Sequence, residues 1–232
     1  MTSTPPADSN RLLMLYQSAI GKKLITGVSG LALATFVIIH MVGNLVLLVS
    51  ANGYNQYGHY LELLSPLVWL IDLVLLGLVV VHSWMGINIF LGRLRSRPQA
   101  YTTYASAGKP SYQTLSSRTM IVTGLVLGSF LVWHLLTFKF GIRYTAPGSD
   151  VRDLARLVIE TFQQPLYVLS YTAVIAMLAS HLRHGLWSAL QSLGALHAGI
   201  RPIAYAISFV LAVGIALGFI VLPLGIYFGV VA

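Results

Sequence analysis

Four histidines, His40, His82, His134 and His181, lie deep within four separate apolar stretches of the chain. An ionisable side chain inside a membrane-like stretch is costly, so each of the four needs a partner or a task. Neutral imidazole is a ready metal ligand. Counted from the ends of the stretches, His40 lies about ten residues and His134 about seven from one end, at a rise of about 1.5 Å each. His82 and His181 each lie about nine residues from the opposite end, which sets two levels roughly 10 Å apart. One pair at each level is the set needed for bis-histidine ligation of two stacked haem irons. Any single histidine could instead be a polar group bonded to a neighbouring helix, but pairwise ligation uses all four with none left over.

The elements that carry these residues follow from composition. The chain has 232 residues, 56% of them hydrophobic and 9% charged, which excludes an ordinary soluble domain of this size. Apolar stretches at about 24–50, 67–91, 119–141, 163–190 and 203–228 each exceed the roughly 20 residues that a membrane span needs. The expected fold is all-α: an integral membrane bundle of five helices, with the first four enclosing two haems and the fifth, which has no histidine, packing outside. The expected organisation is a tail and interfacial segment at 1–23, a transmembrane domain at 24–228 and a short tail at 229–232. Within the first segment, Thr2 to Asn10 reads as a polar tail and Leu12 to Ile20 as an amphipathic stretch. The first apolar run is too long for a signal-peptide core and reads as a retained helix.

The net charge of +8 is sorted by connection rather than gathered in one patch, which argues against nucleic acid. Arg11, Lys22 and Lys23 precede the first stretch, Arg93, Arg95, Arg97, Lys109 and Arg118 crowd the second connection, and Arg183 and Arg201 flank the fourth. The positive-inside rule then places the N-terminus in the cytoplasm and the C-terminus outside. On the outer side, 51–65 reads as a loop whose Tyr54, Tyr57 and Tyr60 form an aromatic belt with Trp69, and 150–160 as a short surface helix. The segment 97–117 reads as an inner loop. Pro66, Pro165 and Pro202 mark helix starts, and Pro223 a kink. There is no cysteine, so any iron–sulfur centre must belong to another chain.

Around the histidines, Gly86 and Gly185 each follow a ligand by four residues, leaving an opening on the ligand's face where a porphyrin needs one. Glycine also simply lets membrane helices approach closely. His184 lies nearly on the face of His181, and only one of the two can be the fourth ligand; His181 is the deeper and matches His82. Lys22, Lys23, Arg93, Arg183 and His184 stand where haem propionates would need donors, although each also suits an ordinary border charge. His59 and His197 fall in connections and read as solvated or docking residues.

Four segments, FVIIHMVGN around His40, VVVHSWMG around His82, SRTMIVTG followed by FLVWHLL at His134, and HLRHGLWSALQSLG from His181, give the chain a family likeness. It resembles the single-chain, five-helix, di-haem cytochrome b subunits of succinate dehydrogenases and fumarate reductases, along essentially its whole length. The resemblance implies a quinone-reactive membrane anchor that passes electrons between an iron–sulfur subunit and menaquinone or ubiquinone. It also implies a flavoprotein partner with FAD that carries the dicarboxylate active site, in a complex that could form a higher oligomer. His40 and His134 would then ligate the distal haem, and His82 and His181 the proximal one. Some relatives carry a glutamate just before the fourth-span ligand to help move protons; Ala179 and Ser180 stand there in this chain.

Quinone chemistry moves protons, and Glu62 and Asp72 are the carboxylates on the outer side near the ligand helices. Both are candidates for an outer quinone site. Asp72 reads equally as a charge at a helix start, and an inner site near Lys23 and Thr26 competes with theirs. Two other functions fit parts of the pattern: the di-haem cytochrome of a formate dehydrogenase or hydrogenase, and a haem-free transporter that uses its histidines for substrate or protons.

Overall fold

The computed structural model describes residues 13–14, 16–96, 99 and 114–231. The expected tail at 2–10, Arg11, and Arg97 and Lys109 of the second connection lie outside the described residues. Everything described is helix and connection, without a strand, and one isolated bridge joins Thr145 to Arg152. Five helices are long and apolar enough to cross a membrane, over Ala19–Leu48, Ser65–Arg95, Met120–Lys139, Pro165–Ser192 and Arg201–Tyr227. Length and composition thus mark an integral membrane protein.

The first span begins earlier than its apolar run. Ser18 caps α1 (Ala19–Leu45) by accepting a 2.9 Å hydrogen bond from the Gly21 amide, so the helix starts before the lysines. Lys22 and Lys23 therefore stand on the first turns of α1 rather than ahead of it, which moves the expected boundary at 24. A 3₁₀ turn, Val46–Leu48, ends the span. Ser50 then caps a second helix, α2 (Ala51–Leu63). That segment was expected as a loop; its two glycines and two asparagines disfavour helix locally, and tertiary burial overrides them. Tyr54 and Asn55 are buried and Tyr57 packs over Gly43, so of the three expected belt tyrosines only Tyr60 is exposed.

The second span is α3 (Ser65–Arg95), with Pro66 in its first turn. A single turn, α4 (Leu115–Arg118), leads into the third span, α5 (Met120–His134), which continues as a π-helical turn over Leu135–Lys139. Gly141 follows that turn, and a Cβ there would collide with the Thr137 carbonyl. The surface helix expected at 150–160 is α6 (Leu154–Phe162), capped by Asp153 and burying Ala155, Leu157, Val158 and Phe162. The fourth and fifth spans are α7 (Pro165–Ser192) and α8 (Arg201–Tyr227), each with a proline in its first turn. Pro223 stands inside α8, where it removes one hydrogen-bond donor from the helix ladder.

In the bundle α1 packs against α3 and α7, α5 lies against α7 and touches α3, and α8 lies outside against α7 and α1. The first four spans thus form a square with α1 diagonal to α5 and α3 diagonal to α7. Neither diagonal pair packs closely along its backbones, so whatever fills the middle of the square must come from side chains or from a bound group. Five of the chain's six carboxylates, Glu62, Asp72, Asp150, Asp153 and Glu160, gather at one end of the bundle, here the acidic end. Lys22, Lys23, Arg93, Arg95, Arg118, Arg183 and Arg201 gather at the other, the basic end. At the acidic end α2 and α6 pack together, joined by Asn55, which donates to Asp153 Oδ1 at 2.9 Å and accepts from the Ala155 amide at 2.8 Å.

Candidate functional site

The four histidines meet in two pairs across the two diagonals. His40 of α1 faces His134 of α5 with ring centroids 5.7 Å apart and planes at 88°. His82 of α3 faces His181 of α7 at 6.2 Å and 64°. One iron between two imidazoles, with each metal–nitrogen bond near 2 Å, sets the ring centres about 6 Å apart. Both pairs stand at that separation, and no hydrogen bond joins the rings of either pair among the described residues.

Three of the four rings are held by Nδ1. His82 Nδ1 lies 3.1 Å from the Thr26 carbonyl and 3.3 Å from Ser29 Oγ, both on α1. His181 Nδ1 lies 3.1 Å from Thr123 Oγ1 on α5. His134 Nδ1 lies 3.2 Å from the hydroxyl of Tyr171 on α7. In each case the adjacent helix of the square fixes the ring, and Nε2 makes no hydrogen bond among the described residues. This is the arrangement of a metal-ligating histidine, whose second nitrogen is oriented by an outer partner. His40 is held differently: it stacks on Phe36, and Asn44 Nδ2 lies 3.4 Å from its Nε2 while donating to its backbone carbonyl at 2.8 Å. Asn44 is itself fixed by Tyr54, whose hydroxyl donates to its Oδ1 at 2.8 Å.

Glycines shape the space around the rings in two ways. A Cβ on Gly30 would stand 2.9 Å from His82 Cε1, and one on Gly124 would stand 3.6 Å from His181 Cε1, so α1 and α5 pass close to the ring edges. A Cβ on Gly86, Gly185, Gly77 or Gly128 would meet nothing within 4 Å. The faces one turn beyond His82 and His181 are therefore open, as the spacing of Gly86 and Gly185 leads one to expect. Beside the other pair, Phe130, Trp133, Phe138 and Tyr171 pack into an aromatic wall around His134.

No group of three or more His, Cys, Asp or Glu gathers as a metal site among the described residues. A bare transition-metal ion needs three or four protein donors, whereas each pair here offers two, placed on opposite sides. Two axial imidazoles fit a metal that brings its own equatorial ligands, as haem iron does. The donor set, the ring separation and the open glycine faces all suit that group.

Compared with protein-family profiles, curated proteins and solved structures, the chain matches none. The assignment of a role therefore rests on the residues and their geometry.

The remaining predicted residues divide by end. Lys22, Lys23, Arg93, Arg183 and His184 share the basic end with the His82–His181 pair. Arg93 lies over the Phe90 ring at 5.7 Å. Arg183 is turned away from the square, toward Tyr205 and Phe209 of α8. His184 packs its ring on Trp187, and its Nδ1 is buried without a hydrogen bond. At the acidic end both carboxylates are ion-paired: Glu62 with Arg143 at 3.0 Å, and Asp72 with Lys139, which also lies 4.5 Å over the Trp69 ring. Sequence reasoning missed Ser29, Asn44, Thr123 and Tyr171 as ring-holding residues. Their signal was polarity within apolar spans, which by itself does not say which ring they reach.

Proposed function

We propose that this chain is the membrane-anchor cytochrome b subunit of a succinate:quinone oxidoreductase, of the succinate dehydrogenase or fumarate reductase type, carrying two bis-histidine b haems. The observation that carries this reading is the meeting of His40 with His134 and of His82 with His181 across the two diagonals of one four-helix square. The motif resemblance favours this enzyme class among the di-haem membrane cytochromes. Against a haem-free transporter stands the pairing of the rings: neither pair is hydrogen-bonded to itself, and three of the four rings are bonded through Nδ1 among the described residues, with Nε2 left without a hydrogen bond.

His40 and His134 would hold one haem and His82 and His181 the other. Bound there, the two groups would supply one-electron transfer. Thr26, Ser29, Thr123 and Tyr171 orient the rings and set how strongly each imidazole donates. Lys22, Lys23 and His184 suit the haem carboxylates at the basic end. Glu62 and Asp72 are the groups proposed to take up or release protons with quinone at the acidic end. The partners would be a flavoprotein with FAD and an iron–sulfur subunit docking at the basic end, which the positive-inside rule favours as the cytoplasmic side in a bacterium.

A reduced-minus-oxidised visible spectrum of the purified chain tests this directly. Two low-spin b haems per chain are expected, one lost in His134→Ala and the other in His82→Ala. A chain that binds no haem, or that binds it unchanged in both variants, overturns the reading.

A further inference from the structure

We propose that the basic end of the groove between α7 and α8 binds the phosphate of an anionic phospholipid, held by Arg183 and Arg201. Arg201, Tyr205 and Phe209 stand at i, i+4 and i+8 on α8 and so share one face. Arg183 reaches that face from α7: its Nη2 donates to the Tyr205 hydroxyl at 2.6 Å, and its guanidinium carbon lies 5.4 Å from the Tyr205 ring centre and 5.6 Å from that of Phe209. Trp187 completes the wall, 5.9 Å from Tyr205.

Donors in this wall are left over. Nε of Arg183 and Nε of Arg201 are buried and have no hydrogen-bond partner among the described residues. A buried donor or acceptor is seldom left so, because its desolvation goes uncompensated. Two guanidinium groups also need a counter-charge, and none of the five described carboxylates supplies one. All five described carboxylates lie at the acidic end, and Glu62, Asp72 and Glu160 are ion-paired there. An anion from outside the described residues would supply it. Guanidinium forks match phosphate oxygens in geometry as well as charge.

Position identifies the source. Arg201 is the first residue of a helix long enough to cross a membrane, and Arg183 lies within three turns of the end of another, so lipid phosphates at that end are within reach of their long side chains. Trp187 and Phe209 continue the groove with apolar surface suited to acyl chains, which a free phosphate ion would not need. Haem carboxylates are the wrong anion, since at about 100° per residue Arg183 lies roughly 200° around α7 from His181. It faces the one span that carries no histidine, so this site is independent of the haem reading.

The test is native mass spectrometry of the full haem-loaded chain, released from nanodiscs of mixed phosphatidylglycerol and phosphatidylcholine. The wild-type chain is expected to retain phosphatidylglycerol selectively, with inorganic phosphate unable to displace it. Arg183→Gln with Arg201→Gln is expected to weaken that selectivity about tenfold or more, with haem content unchanged. Arg95→Gln, at the same end but outside the groove, is expected to leave it intact. No selectivity in the wild type, equal retention by the glutamine pair, an equal loss in Arg95→Gln, displacement by inorganic phosphate, or loss of haem with the lipid each overturns the proposal. If the glutamine pair does not fold, the lysine pair decides. It is expected to bind with reduced selectivity, and undiminished selectivity overturns the role of the guanidinium forks.

Discussion

The hydroxyl of Tyr171 on α7 stands 3.2 Å from Nδ1 of His134 on α5, within a wall formed by Phe130, Trp133 and Phe138. This contact decides which nitrogen of His134 remains for a metal. With Nδ1–H donating to the tyrosine oxygen, Nε2 keeps its lone pair for a ligand beside the His40 ring. Tyr171→Phe keeps the ring and removes the oxygen. Loss of one hydrogen bond is expected to cost about 1 kcal/mol in thermal unfolding. Because the imidazole then donates less strongly, the midpoint potential of one haem should rise by on the order of tens of millivolts while the other stays put. Redox titration followed in the visible spectrum measures it, and two unmoved potentials would remove Tyr171 from the site.

Two glycines near His82 should respond in opposite ways. Gly30→Ala places a methyl 2.9 Å from Cε1 and 3.3 Å from Nδ1 of the ring, so the imidazole or the helix must shift. Such overpacking costs roughly 1–3 kcal/mol, and it should lower the haem-free chain's melting temperature. Gly86→Leu fills space that the protein itself leaves open. Its haem-free melting temperature should stay close to the wild-type value, while haem content falls from two per chain to one. Full haem content in Gly86→Leu would show that the open face is not a slot.

The difference between these glycines marks how far the sequence is readable. Five spans were legible because a run of some twenty apolar residues has few other fates, and α6 because Leu154, Leu157 and Val158 repeat at helical spacing. Helix α2 was not legible. Gly53, Asn55 and Gly58 oppose helix locally, and only the bond from Asn55 to Asp153 and the burial of Tyr54 make helix the better state. The depths of the four histidines could be counted, and the structure brings together the residues counted to equal depth. The Nδ1 partners could not be counted, because each comes from a different helix: Thr26 and Ser29 to His82, Thr123 to His181, Tyr171 to His134. Nor does composition reveal that Arg183 turns outward to α8.

Glu62 and Asp72 offer a comparison at the acidic end. Each is joined to the segment after His134, Glu62 through Arg143 and Asp72 through Lys139, so both brace the third span as well as carrying a protonatable group. The amide variants Glu62→Gln and Asp72→Asn keep size and remove charge. If one of them serves quinone, its variant should lose about tenfold or more in quinol oxidation with haem content and melting temperature near wild type, as for loss of a general acid or base. Arg143→Gln, which breaks the same ion pair as Glu62→Gln, separates bracing from proton transfer. Equal turnover in all three variants would leave both carboxylates with a structural role alone.

The acidic end also carries a pH dependence whose sign can be worked out. Glu160 accepts a 2.6 Å hydrogen bond from the Tyr144 hydroxyl and pairs with Arg156 at 2.7 Å. The tyrosine hydrogen bond first, and the guanidinium second, hold its carboxyl below the ordinary glutamate value of 4.5. A carboxylate depressed on folding stabilises the structure above its unfolded value, and that contribution fades as pH falls through the folded one. The clasp between the 142–153 connection and α6 should therefore be complete above about pH 5 and loosen progressively below 4.5. Solvent exposure keeps the effect small and local, so global unfolding is a poor probe of it. Hydrogen exchange of the amides at 144–146 and 151–160, corrected for intrinsic rates, should quicken on acidification in the wild-type protein. In Glu160→Gln the same amides should exchange faster already at neutral pH, with little further change toward acid. Acid sensitivity that survives this substitution would remove Glu160 as its source.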